Sequence, residues 1–439
     1  MAEEMNHSMI SMLTTEDANE YNKQKIYAKN SIDRFGDDLC QLLLSYFSLE
    51  DHIRCECLSK QFRRTVFVSL HHICIDYKLM RQLPESNIRQ ILATIAIKCT
   101  NVETIDCRGM RGKYEVYVPE VLTTFRDNCR NLREIYCNLW RNCEQTMHSF
   151  GPLVTRIGGI DNIADTQAIT ECHRLSHLRI NFFRPLFDRL LAKNLDSFEL
   201  NHYLCASDEQ QLSAFLAENL GLRSARFMPV NTFRRYYRQL SRLTQLRQLR
   251  LTLCLTNSNL SYLTSGQNSL CESLRTIGLN CKQLQRLTLE LNTDLFRGQL
   301  MDVFNRHSLD SLKIYRRLKR LTFTVKLDLK PEVLEPLTLC HRLTHLTINF
   351  KKINDNLFVN CDNHWPRLQY LSVNTNAITR ECLSHISRLP ALKTFCLQCH
   401  HSNGLTNNDF KDLLSRSPKL KQIEFFVNSN RLPFNLQLV

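Results

Sequence analysis

Apolar residues recur along most of the chain in the order apolar-x-x-apolar-x-apolar. The phrase is cleanest in Leu246-Arg-Gln-Leu249-Arg-Leu251, Leu284-Gln-Arg-Leu287-Thr-Leu289 and Leu343-Thr-His-Leu346-Thr-Ile348. Looser copies start at Val102, Leu132, Leu175, Leu195, Leu222, Leu318, Leu368, Leu392 and Leu420. The last two apolar positions of each copy are two residues apart. On a short strand they share one face, and the residues between and beside them point the other way. One such unit cannot bury its own apolar face, whereas stacked copies can.

Copies begin mostly 20 to 34 residues apart, which leaves room for a helix or turn after each strand. Ser207-Asp-Glu-Gln210 ahead of Leu212, Phe215 and Leu216 is a capping box that opens such a helix. Thr379 and Thr406 predict similar caps before Leu383 and before Phe410 to Leu414. Two further segments fit the phrase. Cys271 to Leu279 ends too close to Leu284 and is read as the helix before that strand; Leu309 to Ile314 yields to the copy at Leu318. The longest gap holds Gly151 to Asp165, where Gly158-Gly159 predicts a loop. The pattern is that of leucine-rich repeats, so the expected fold is α/β: a parallel-stranded solenoid with strands inside and helices outside.

Composition adds limits. Hydrophobic content of 43% and charged content of 23% are ordinary for a folded protein. No run of about 18 apolar residues suggests a membrane span. The first thirty residues carry Glu3, Glu4, Glu16 and Asp17 and no apolar core segment, which fits neither a secretory signal nor an Arg-rich transit peptide; they read as a disordered lead-in. Nineteen cysteines without such a signal argue for reduced thiols in the cytosol, the nucleus or both. Cys99, Cys129, Cys172, Cys281 and Cys340 each stand three residues before a copy, a recurrent place where a thiol acts as a small hydrophobe. The net charge is +14, and residues 219 to 271 contain no Asp or Glu. Arg223, Arg226, Arg234, Arg235, Arg238, Arg242, Arg247 and Arg250 lie there and concentrate positive field on the middle repeats.

Ahead of the repeats, residues 35 to 67 read as a small helical module. Asp38-Leu39, Ser45-Tyr46-Phe47, Leu49-Glu50-Asp51, Ile53-Arg54 and Ser59-Lys60-Gln61-Phe62-Arg63-Arg64 follow one another without a gap. Ser48 offers an N-cap, and Ile53, Cys57, Leu58 and Phe62 carry an apolar stripe along a second helix. So small a module needs a partner or the first repeat to lean on. It resembles an F-box, with Gly36 where that family usually has proline and Phe62 where it usually has tryptophan. An F-box directly before such repeats resembles the leucine-rich-repeat class of F-box proteins. The layout is then a lead-in over 1–30, an F-box over 31–70, an irregular solenoid over 71–427 and a tail over 428–439.

The resemblance implies a non-catalytic substrate-recognition subunit of an SCF-type ubiquitin ligase. Its F-box would bind a Skp-family adaptor, held in turn by a cullin, and its repeats a protein substrate. Leu39, Leu42, Leu43, Tyr46, Phe47, Leu49, Ile53, Leu58 and Phe62 would carry adaptor binding together with the module's core. On the strand face, counting within the copies exposes Arg179, Arg226, Arg250, Arg286 and Arg320, among others, as a broken basic stripe. That stripe suits an acidic or phosphorylated segment of a substrate, or is a face kept solvated by charge. The rival reading is a repeat scaffold without a ligase role, associated with nucleic acid through its arginine-rich middle repeats.

No Gly-rich phosphate loop, Gly-x-Ser-x-Gly or His-Glu-x-x-His occurs, so nothing predicts an enzyme or a cofactor. Cys396-Leu-Gln-Cys399-His400 matches a c-type haem pattern but falls in a repeat strand, and Cys55-Glu-Cys57 lacks a second ligand pair for a metal.

Overall fold

A computed structural model describes residues 36–437 apart from 59, 140–142, 161–167, 182–191, 202–208, 231–232, 256–269, 294–306, 326–329, 377, 400–403 and 428–433. The expected lead-in, Phe35, Ser207 of the capping box and His400 lie outside the described residues. The chain folds as two compact units, Met1–Arg174 and Leu175–Val439.

The first unit opens with helices α1 (Asp37–Leu44), α2 (Leu49–Cys55) and α3 (Lys60–Thr65). Ser48 caps α2, its hydroxyl accepting from the Asp51 amide at 3.2 Å. The stripe from Ile53 to Phe62 is not one helix. A tight turn, closed by the Leu58 amide on the Cys55 carbonyl at 3.0 Å, ends α2 before α3 begins. The module leans on the first repeat: Lys98 places its ammonium 2.6 Å from Glu56 and 5.1 Å from the centroid of the Phe67 ring.

Four parallel strands complete this unit, β1 (His72–Cys74), β2 (Thr104–Asp106), β3 (Glu134–Leu139) and β4 (Val154–Ile160). Helices α4 (Tyr77–Gln82) and α5 (Ile88–Lys98) lie between β1 and β2, α6 (Val118–Asn128) between β2 and β3, and α7 (Glu144–Phe150) between β3 and β4. Two of these strands correct the sequence reading. β1 carries an unclaimed copy of the phrase, Leu70-His-His-Ile73-Cys-Ile75. β4 passes through Gly158-Gly159, expected as a loop. Gly158 is there for close approach: a Cβ would meet Arg108 Cδ at 2.7 Å and Asn138 Oδ1 at 2.9 Å.

In the second unit ten strands pair in parallel and in sequence order. They are β5 (His177–Ile180), β6 (Ser197–Leu200), β7 (Ser224–Val230), β8 (Gln248–Leu255) and β9 (Arg286–Thr293). β10 (Arg320–Val325), β11 (His345–Phe350), β12 (Tyr370–Thr375), β13 (Thr394–Cys399) and β14 (Gln422–Val427) come next. Each begins two residues after the leucine that opens its copy. In the tail, β15 (Phe434–Gln437) turns back antiparallel on β14 and covers its free edge.

Helices α8 (Glu209–Glu218), α9 (Phe233–Ser241), α10 (Leu270–Asn280), α11 (Cys361–His364), α12 (Arg380–Ile386) and α13 (Asn407–Arg416) lie between strands. α10 occupies the Cys271 to Leu279 segment, and Asp310–Ile314 is a short 3₁₀ turn before β10, so both competing phrases resolve as read. Thr379 caps α12 through the Cys382 amide at 3.2 Å. At α13 the Asp409 carboxylate accepts from the Thr406 amide at 2.7 Å and from its hydroxyl at 2.8 Å.

The registers stack the core positions in two rows. One runs Leu249, Leu287, Leu321, Leu346, Leu371 and the other Leu251, Leu289, Phe323, Ile348, Val373, all buried. Each leucine removed from water contributes about 1.5–3 kcal/mol, and only a neighbouring repeat can supply that cover. The chain is an α/β leucine-rich-repeat solenoid.

Candidate functional site

Two surfaces stand out, one in each unit. The first is α1 and the turn after it. Spacing by three and four places Leu39, Leu42, Leu43, Tyr46 and Phe47 on one side, and Cys40 and Leu44 on the other. Cys40 and Leu44 are fully buried, while Leu42 is 55% and Tyr46 80% exposed. Leu39, Leu43, Phe47 and Leu58 are exposed too. The nine module residues expected to share binding and core duties therefore separate. Six face outward, Leu49 and Ile53 are half-buried, and Phe62 is core at 4% exposure. His52, unremarked in the sequence, is buried under the Phe47 ring at 6.4 Å, its Nδ1 2.8 Å from the Ser48 carbonyl. Among the described residues this apolar face is left exposed.

The second surface is the outward strand face of unit two. The five arginines of the expected stripe all lie there, but they are not equivalent. Arg179, Arg226 and Arg250 form one row with Glu199. Arg179 and Arg226 both approach Glu199, at 4.0 and 3.6 Å, and Arg250 pairs with Glu290 at 2.5 Å. Burial lowers the Arg226 pKa first, and then crowding by Arg250. Thr252, two residues after Arg250 on β8, is buried and donates to Glu290 at 3.1 Å. The acid-free stretch is therefore not free of acids in space: strands β6 and β9 bring the carboxylates to β7 and β8. Arg223 likewise lies 3.7 Å from Asp196. The side chains of Arg234 and Arg235 lie outside the described residues.

Arg286 and Arg320 are different. They are exposed neighbours on β9 and β10, one row toward the strand start, and among the described residues neither pairs with a carboxylate. His345 is next in that row, stacked on Tyr370 with ring centroids 5.7 Å apart. Burial, then Arg320, then Arg286, hold the His345 pKa below the ordinary histidine value. Beside this row Thr288, Thr322, Thr347 and Ser372 line up as a ladder of hydroxyls. The arrangement suits an anion, with paired guanidiniums and neutral donors on a rigid sheet.

Among the described residues no group of three or more His, Cys, Asp or Glu could hold a metal ion. Cys396 and Cys399, an odd number of residues apart on β13, project to opposite faces, and Cys396 lies 3.3 Å from Glu424. No helix among the described residues is long and apolar enough to cross a membrane.

No family model matches the chain, and no curated protein matches it. Among solved structures it is similar to a chain of the "Crystal structure of TLR13-ssRNA13 complex", with 12% sequence identity and a TM-score of 0.32. The match covers 76% of this chain and 57% of that one, so this chain spans well under two thirds of that protein.

Proposed function

We propose that the protein is a non-catalytic substrate adaptor of an SCF-type ubiquitin ligase. The α1 face takes a Skp-family adaptor that is itself held by a cullin, and the repeats of unit two take the protein substrate. One observation carries the reading: Leu39, Leu42, Leu43, Tyr46, Phe47 and Leu58 are exposed at the end of the chain where the sequence resembles an F-box. Covering each would contribute about 1.5–3 kcal/mol before the cost of association. The mechanism is proximity: a substrate held on the strand face is presented at high effective concentration to a conjugating enzyme bound elsewhere in the assembly.

Co-purification with the Skp-family adaptor tests this. Leu42→Asp and Leu43→Asp put charge on an already exposed face, so the fold tolerates them while capture is lost. Phe62→Asp breaks the buried side of the module and loses capture by unfolding it. An intact, folded chain that captures no adaptor would remove the ligase reading and leave a repeat scaffold.

A further inference from the structure

Unit two carries a second cationic feature, distinct from the stripe on its strand face, at the turns that lead into the strands. Each repeat has a two-residue turn, the opening leucine and one further residue before its strand begins. Before β9 to β12 these are residues 282–285, 316–319, 341–344 and 366–369, and they include no Asp or Glu. They do include Lys282, Arg316, Arg317, Lys319, Arg342 and Arg367, every one of them exposed. The second turn position is arginine in three successive repeats, Arg317, Arg342 and Arg367.

The backbone fixes these turns side by side. The Lys319 amide donates to the Gln285 carbonyl at 2.9 Å, Thr344 to Lys319 at 2.8 Å and Gln369 to Thr344 at 2.8 Å. Successive turns are thus about 4.8 Å apart, the spacing of paired strands. Side chains tie the row together without neutralising it. Arg342 donates to the Arg316 carbonyl at 2.8 Å, and Arg317 donates to the Gln283 side-chain oxygen. Among the described residues none of the six pairs with a carboxylate, although arginines on β5, β7 and β8 of the same unit do. Arg286 and Arg320 extend the field onto the sheet. The result is a ledge of cations that, among the described residues, meet no carboxylate.

We propose that this ledge docks an extended acidic segment of a partner protein. An extended chain places alternate side chains about 6.6–7 Å apart, so the flexible ledge cations can meet a run of carboxylates laid along it. Single-stranded nucleic acid fits less well. Bases need free aromatic platforms between the cations, and of the aromatics beside these turns Tyr315 and Trp365 are buried, while His345 and Tyr370 are half-buried and stacked on each other. That the partner is a ligase substrate rests on the reading above; the acidic preference of the ledge does not.

The test uses the full-length chain and fluorescence anisotropy with a synthetic peptide of Glu-Ser repeats, alongside single-stranded RNA and duplex DNA of equal charge. The peptide is expected to bind saturably, more tightly than either nucleic acid and less tightly as salt rises. Arg317→Glu, Arg342→Glu and Arg367→Glu together are expected to weaken peptide binding about 100-fold. A control that reverses exposed charges off this row of turns, Arg388→Glu with Lys411→Glu and Arg81→Glu, retains most of it. If the triple reversal melts early, Gln at the same three positions replaces it and weakens binding in the same direction. Equal losses from ledge and control, no peptide binding, or tighter binding of RNA or DNA would each overturn the proposal. Adaptor capture by the α1 face is read separately, so failure of one leaves the other standing.

Discussion

At the scale of single residues, position in the repeat sets the chemistry more than identity does. His345 shows this. Burial, Arg320 and Arg286 all oppose its imidazolium form. The unfolded chain therefore binds more protons between the depressed folded value and the ordinary 6.5. The contribution of this ring to stability is accordingly present above about pH 6.5 and is lost as the pH falls through the folded value. Replacing Arg320 by Gln removes one opposing charge but not the burial. An NMR titration of the ring is expected to show its pKa rising toward, without reaching, the ordinary value; an unchanged pKa would mean that Arg320 does not act on it. The thiols divide in the same way. Burial pushes Cys99, Cys172, Cys281 and Cys340 up to about 12 and Cys129 to about 11. Cys57 is exposed, and Cys74 is exposed but raised, chiefly by partial burial. Mass spectrometry after brief alkylation is expected to find Cys57 modified first among these, Cys74 next and the five repeat cysteines last.

At the scale of elements, the place three residues before each copy does more than fill space. In several repeats, though not where Ala192, Leu243 or Leu389 holds it, the residue there donates to the backbone of the repeat before. Cys129 reaches the Cys99 carbonyl at 3.1 Å and Cys281 the Leu243 carbonyl at 3.3 Å. Tyr315 reaches Leu274 at 2.6 Å and Trp365 reaches Leu337 at 3.0 Å. Asn219, fully buried, donates to Ala192 at 2.9 Å and accepts from the Leu195 amide at 3.1 Å. The cysteines at this position were legible in the sequence as core, but their bonding was not, because residues as unlike as Cys, Asn, Tyr and Trp share only a place in the fold. Asn219→Ala strands a buried carbonyl and a buried amide at once, so denaturant unfolding is expected to show a loss of about 2–4 kcal/mol. Trp365→Phe keeps most of the packing and drops one bond, for about 1–2 kcal/mol. A loss at Trp365 equal to that at Asn219 would mean that shape, not bonding, dominates the position. The twelve strands were legible for the opposite reason: each repeats the same apolar spacing. β4 escaped because Gly158 is there for close approach to Arg108, which no local pattern announces. The α1 face was legible as an apolar list, but only burial could assign Phe62 to the core and Tyr46 to the surface.

At the scale of the molecule, charge was the least legible feature, because repeats bring together residues far apart in sequence. The acid-free stretch looked uncompensated until Glu199 and Glu290 met its arginines across neighbouring strands. The ledge cations are spread over turns some 25 to 34 residues apart and form a row only once the repeats are stacked. The same stacking dictates how damage spreads. Each strand of unit two bonds only to the strands before and after it, and each core row passes from one repeat to the next. Stability in such a stack is close to a sum of repeat terms and nearest-neighbour terms. Leu371, fully buried on β12 between Leu346 and Phe395, is a place to test this. Leu371→Ala removes about 2–5 kcal/mol, part of it from contacts with the two adjoining repeats. Hydrogen exchange is then expected to accelerate most in β11, β12 and β13, less in β9 and β10, and least in β5 to β7, where no core side chain touches the cavity. Equal acceleration from β5 to β14 would mean that the unit opens as one block, and a graded profile would mean that a partner docking on the ledge can stabilise its own repeats locally.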